Sequence, residues 1–326
     1  MHMMQKFVAC FLCSFFYFSF LIAQSNLLEI QSTKPNPGNL GFYLQSNKAD
    51  FSVSNKKPLV VVLHGCSQSA ESIALQSGWD KLADANNFYV LYPKQKLLNN
   101  PNFCFNWFNS NDISKEQGEA YSIKNMILHL SDSLNIDKEK IYVYGLSAGA
   151  GMAVALMALY PEIFKAGASI AGAPYGSAND FIEALKVMID GNEKTPDEWA
   201  KLVRDEHNQQ QINYPKLVLL HGSKDMIVNI SNSYELIKQW TALHHTDTVY
   251  DRNIEKFDGN SNVQKLVYQN QNKQNIVTFS KINHLGHAIS VDPGKGPKQG
   301  GETGLFATDM DFFSTWYIAK EFGLVR

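Results

Sequence analysis

The chain has 326 residues, 44% of them hydrophobic and 18% charged, with a formal net charge of -2. That is enough apolar material for one large domain or two small ones, and a near-neutral chain without a basic run argues against a nucleic-acid partner. The nine histidines are scattered, with no CxxC or HExxH spacing, so no metal or cofactor is expected.

In chain order, "MHMMQKFVACFLCSFFYFSFLIAQS" carries one lysine and then an almost uncharged apolar run over residues 7–23. This is a signal-peptide pattern over residues 1–23, with cleavage expected near Ala23–Gln24. A retained anchor is the alternative, because the run is near the lower length limit for spanning a bilayer. The small and polar residues that follow, without a basic stop-transfer cluster, favour cleavage and a secreted or periplasmic protein with no stable membrane association. Cleavage removes Cys10 and Cys13 and leaves Cys66 and Cys104. An oxidising compartment would maintain one disulfide between two such cysteines; otherwise they are unrelated small core residues.

Next, "STKPNPGNLGFYLQS" reads as an edge hairpin, and "KPLVVVLHG" as a strand buried on both faces. "AESIALQSGWDKLADANN" reads as helical, "FYVLYP" as a second buried strand, and residues 94–118 as a long loop with aromatics. In "EAYSIKNMILHLSDSLN" the positions Ile123, Ile127, Leu130 and Leu134 share a helical face. "KIYVYG", "KAGASIAG" and "KLVLLHGS" are further strand candidates with helical stretches between them, and "ATDMDFFSTWYIAKEF" holds a last helix. Alternating buried strands and helices predict an α/β fold with a mostly parallel sheet, in one domain over residues 24–326. Residues 174–215 are too long for an ordinary connection and are expected to form a helical insertion over the active face.

"KIYVYGLSAGAGMAVALM" sets Ser147 between Gly145 and Gly149. G-x-S-x-G arises easily among small residues, and a tight turn is the bland reading. Here the pattern directly follows a strand and precedes a helical run, the setting that places a serine on a sharp turn at the carboxyl edge of a sheet. A serine hydroxyl needs a base to take its proton, and the base needs a carboxylate, in the chain order Ser…Asp/Glu…His. Asp225 in "VLLHGSKDMIVN" lies just past a buried strand; Asp180 and Asp197 follow no strand. "INHLGHAIS" offers His284 and His287, of which His287 follows a glycine; spacing alone does not separate them. The expected triad is Ser147–Asp225–His287, with His284 as a second polar group of the pocket. The oxyanion donors expected are the N–H of Ala148 and that of Cys66 or Ser67 in the loop after an early strand. His64 and His221, each in "LHG" at a strand end, read as structural turn residues. Trp79, Phe105, Trp107 and Phe108 are candidates for an aromatic pocket wall or for the core.

The stretches "PLVVVLHGCSQ", "CFNWF", "YVYGLSAGAGMA", "HGSKDMIVN" and "GHAISVDPG" make the chain resemble the polyhydroxybutyrate depolymerase-type esterases, themselves similar to feruloyl and acetylxylan esterases. The resemblance covers most of the chain from Lys57 onward. It implies an α/β-hydrolase fold, no cofactor, Ser147, Asp225 and His287 as nucleophile, acid and base, and a Cys66–Cys104 disulfide that holds Trp107 near the cleft. Many relatives have a further glycine where this chain has Ala150. Relatives that attack solid polyester often carry a linker and binding domain, and this chain ends soon after its hydrolase region. Hence short or soluble hydroxyalkanoate esters, as small molecules or oligomers, are the expected substrates. Feruloyl or acetyl esters of polysaccharide are the second reading, and a non-catalytic binding protein on the same fold is the third. Peptide mapping without reductant should recover Cys66 and Cys104 in one linked fragment; two free thiols would refute the pairing.

Overall fold

The computed structural model describes residues 27–45, 55–208 and 210–326. The signal peptide expected over residues 1–23 lies outside them. The main sheet has ten strands. They are β1 (Leu27–Glu29), β2 (Gly41–Gln45), β3 (Lys57–Leu63), β4 (Tyr89–Lys94), β5 (Ile136–Leu146), β6 (Ala166–Ile170), β7 (Lys216–Gly222), β8 (Arg252–Ile254), β9 (Val263–Gln269) and β10 (Asn275–Ile282). Their spatial order is β1-β2-β4-β3-β5-β6-β7-β10-β9-β8. The run from β4 to β10 is parallel, and the pairs β1–β2, β2–β4, β10–β9 and β9–β8 are antiparallel. A small parallel pair, β11 (Ile289–Val291) with β12 (Ala307–Asp309), lies outside it.

The continuous apolar run of β3 follows from its central place. Val61 and Leu63 face one core, Val60 and Val62 the other, and all four are 0% exposed. Burying each such side chain contributes about 1.5–3 kcal/mol. The first core is covered by α3 (Gly118–Ser133), α4 (Ala148–Leu159) and α7 (Ser231–Leu243), and the second by α1 (Ala70–Ser77), α2 (Trp79–Asn86) and α8 (Ser314–Glu321). α1 is capped at its start by reciprocal bonds between Ser69 and Ser72. The stretch read as one helix breaks into α1 and α2 at Gly78, whose φ is +67°. This is the mostly parallel, helix-flanked sheet of an α/β-hydrolase.

The insertion expected over the active face divides in two. α5 (Phe181–Asp190) does stand over the site, whereas α6 (Pro196–Asp205) packs against α7. Trp199 of α6 is fully buried and donates its indole N–H to Glu235 Oε2 at 2.7 Å.

α4 crosses closely over the end of β3. A Cβ at Gly149 would lie 2.4 Å from Leu63 O and 2.5 Å from His64 O, both backbone atoms that cannot swing aside. Gly149→Ala is therefore expected to destabilise the protein by about 1–3 kcal/mol. Urea unfolding should show a lower midpoint with an unchanged slope.

Candidate active site

Ser147 sits on the turn from β5 into α4, with φ 56° and ψ -119°. This left-handed conformation is strained for a non-glycine residue, by about 1–3 kcal/mol. The surroundings enforce it: the Ser147 N–H donates to Ile170 O at 2.9 Å, and its carbonyl accepts from Ala150 and Gly151. All twelve residues of α4 are buried, so the turn is anchored in the core. The half-buried serine lines a cavity of about 220 Å³. Its hydroxyl has no hydrogen-bond partner among the described residues.

Asp225 follows β7, so it lies on the same carboxyl edge of the parallel strands as Ser147. Its Oδ1 accepts from the N–H groups of Ile227 and Val228, both at 2.9 Å, which turn the side chain back over its own loop. The carboxylate is fully buried, and His287 Nδ1–H donates to Oδ2 at 2.7 Å. Burial opposes the charge of Asp225, but the bonds from His221 and His287, the charge of His287 and the Val228 N–H outweigh it. Together they hold the carboxyl well below the usual carboxylate range. The bond to Nδ1 leaves His287 Nε2 open as a proton acceptor.

The histidine loop is seated on the acid's strand by direct backbone contact. Lys224 N–H donates to Leu285 O at 2.9 Å and Ser223 N–H to Ile282 O at 2.9 Å. A Cβ at Gly222 would fall 2.3 Å from Leu285 O. The glycine of the second "LHG" is thus required by the approach of the His287 loop.

The two expected oxyanion donors are both available. Among the described residues neither the Cys66 nor the Ala148 N–H has an acceptor, whereas the Ser67 N–H donates to Asn102 O at 2.7 Å. The Ser67 N–H is thereby engaged, and the Cys66 N–H is left free. Cys66 and Cys104 are joined in a disulfide, which ties this loop to the one carrying Trp107. Trp107 and Phe108 form one wall of the cavity, and Phe181, Leu185 and Met188 of α5 form another.

The other candidate residues lie in different surroundings. His284 does not line the cavity: it lies on a left-handed turn, φ 66°, with its side chain exposed and its N–H on Ser223 Oγ. Trp79 and Phe105 are core residues, Trp79 between Tyr144 and Phe322, and Phe105 against His64. His64 is structural, as expected, its Nδ1–H donating to Gly65 O at 2.8 Å and its Nε2 accepting from Gln95 N–H at 3.1 Å. His221 does more than shape a turn. Its Nε2–H donates to Val228 O at 2.9 Å and lies 3.3 Å from Asp225 Oδ2, while Nδ1 accepts from Ser233 Oγ at 2.7 Å. Its position four residues before Asp225 was the available signal. The carboxylates of Asp292, Asp309 and Asp311 come together beside β11 and β12, and such an acidic cluster makes no site by itself.

Comparison with known proteins adds three findings. The family model described as esterase PHB depolymerase matches residues 43–255. Poly(3-hydroxyalkanoate) depolymerase C of Paucimonas lemoignei is 37% identical over 299 residues, 92% of this chain and 70% of that one, and feruloyl esterase B of Talaromyces funiculosus is 25% identical over 81% and 74%. The structure of an acetyl xylan esterase from Aspergillus awamori superposes with a TM-score of 0.72 at 21% identity, over 80% of this chain and 93% of that one; it shares the fold.

Buried His64, beside the Cys66 loop, gives the stability of the protein a defined pH response. Burial lowers the His64 pKa from 6.5 to about 4, although its bond to Gly65 O works the other way. An unfolded chain takes up this proton near 6.5 and the folded one only near 4, so the stabilisation is complete above 6.5 and is lost as pH falls through that window. Asp225 acts in the same direction at lower pH. Thermal unfolding between pH 7 and 4 should show a falling midpoint, with a shallower slope in His64→Gln.

Proposed function

We propose, for a chain that belongs to the PHB depolymerase family of esterases and is a carboxylic-ester hydrolase, that it works through a Ser147 acyl-enzyme. His287 Nε2 takes the Ser147 proton as Oγ attacks the ester carbonyl carbon. The N–H groups of Cys66 and Ala148 receive the oxyanion, each contributing about 3 kcal/mol. The tetrahedral species collapses as His287 protonates the leaving alkoxide, and water then repeats both steps on the acyl-serine. Asp225 keeps His287 in the Nδ1–H tautomer and stabilises the imidazolium. The observation that carries this reading is the 2.7 Å bond from His287 Nδ1 to a carboxylate buried on the serine's edge of the sheet.

We take residues 24–326 as one esterase domain, because a single ten-stranded sheet runs through the described part of the chain. Export is the reading for its location, supported by the disulfide and by the leader pattern of residues 1–23. No helix among the described residues is long and apolar enough to cross a membrane.

Short or soluble hydroxyalkanoate esters are the proposed substrates, as small molecules or oligomers. The support is the relationship to a poly(3-hydroxyalkanoate) depolymerase together with a small cavity walled by Leu185, Met188 and Val228. Trp107 and Phe108 on the opposite wall favour a second reading, a feruloyl ester of polysaccharide.

Initial rates on 3-hydroxybutyrate oligomers and on methyl ferulate, with Ser147→Ala as blank, separate these readings. Ser147→Ala should lower kcat by about 10^6-fold and Asp225→Asn by about 10^4-fold without unfolding the protein. Turnover that survives Ser147→Ala would remove the serine mechanism. A folded wild type without turnover, unlabelled by an organophosphonate, would point to a binding protein.

A further inference from the structure

The loop between β4 and α3 brings Asn102, Cys104, Trp107 and Phe108 to the cavity without any helix or strand of its own. A loop of this length over a site moves freely unless its polar groups are satisfied. Here they converge on one carboxyl. Glu119, in the first turn of α3, is 1% exposed. Its Oε2 accepts from the Asn106 N–H at 2.8 Å, and its Oε1 accepts from Asn106 Nδ2 at 2.7 Å and Gln95 Nε2 at 2.5 Å.

Backbone anchors fix the direction of each amide in this network. Gln95 Oε1 accepts from the Lys96 N–H at 2.9 Å, so its Nε2 is the end that meets Glu119, and that nitrogen also donates to Cys104 O at 2.9 Å. Asn100 Oδ1 accepts from the N–H groups of Asn102 at 2.9 Å and Cys104 at 3.3 Å. Its Nδ2 therefore meets Asn106 Oδ1, at 2.9 Å, and leaves Asn106 Nδ2 for Glu119. All three partners of the carboxyl are donors, which is the set a carboxylate matches. Burial and neighbouring Asp112 push its pKa up to about 8 against these donors. The backbone N–H of Gln95 reaches His64, whose other nitrogen holds Gly65 O, immediately before Cys66.

We propose that Glu119 is a positioning residue for the ester site: its buried carboxyl gathers the loop that carries Cys104, Trp107 and Phe108 and registers that wall against the turn carrying the Cys66 N–H. The inference rests on reading the cavity as the ester site. Glu119 does not line the cavity and acts through Asn106 and Gln95. A long acyl chain must pass the wall, and an acetyl group need not.

Steady-state kinetics on p-nitrophenyl acetate and p-nitrophenyl hexanoate test this in the wild type, Glu119→Gln and Asn106→Ala, with circular dichroism to verify folding. At pH 9, above the Glu119 pKa of about 8, glutamine at 119 keeps the shape but turns a donor toward donors, and Asn106→Ala removes one side-chain donor. Both variants should raise KM for hexanoate by about 10-fold while leaving KM for acetate and kcat on both esters within about 2-fold. Folded variants with an unchanged hexanoate KM overturn the proposal. An equal fall in kcat on both esters at constant KM also overturns it, because that pattern means only less active protein. Should Glu119→Gln not fold, Asn106→Ala decides by the same split. A wild type silent on both esters overturns the esterase reading and this proposal together, whereas the other outcomes overturn this proposal alone.

Discussion

The site depends on one close backbone crossing, where Gly149 at the head of α4 meets the carbonyls that end β3. It fixes the distance between the turn that carries Ser147 and the loop that carries Cys66, and therefore the separation of the Ala148 and Cys66 N–H groups. The same crossing holds Ser147 in its left-handed backbone, a conformation that persists only where neighbours over-determine it. The completely buried α4 provides that over-determination. Strain at the serine and rigidity of the core are two sides of one packing arrangement.

Three buried side chains organise the polar part of the site by holding protons in defined places. Asp225 remains ionised among donors, His64 stays neutral with its proton toward Gly65 O, and His221 keeps its own on the side of Val228 O and Asp225. Each is anchored by at least one backbone group, so its orientation is tied to chain geometry rather than to a mobile partner. The two "LHG" histidines have thus diverged in use. One braces the Cys66 loop, and the other braces Asp225.

Legibility in the sequence followed burial pattern. Strands β3, β6 and β7 and the second half of β5, from Ile141 to Leu146, are buried on both faces and read as apolar runs, so they could be placed. β9 and β10 were not seen, because Gln264, Lys265, Ser280 and Lys281 interrupt their apolar runs. Lys265 is buried only because Glu321 pairs with it from α8, a contact no local pattern announces. The sharp turn at Ser147 and the Asp225–His287 pairing were legible because each of these residues follows a strand or a glycine turn. His284 was misplaced for the opposite reason: spacing does not tell which way a loop residue faces. The contribution of Glu119 arises from tertiary contact and had no signature of its own.

The Cys66–Cys104 bridge spans 38 residues and encloses α1, α2 and β4, which is the whole crossover from β3 to its parallel neighbour. Closing a loop of that length removes about 4 kcal/mol of freedom from the unfolded chain. Parallel pairing across a long connection is intrinsically slow, because loop closure must precede any gain from contact. In a chain that refolds with the bridge intact, that search is already over for this crossover. The strand pair that carries the Cys66 loop therefore changes from a long-range contact into an effectively local one, and it becomes a natural place for the parallel sheet to start.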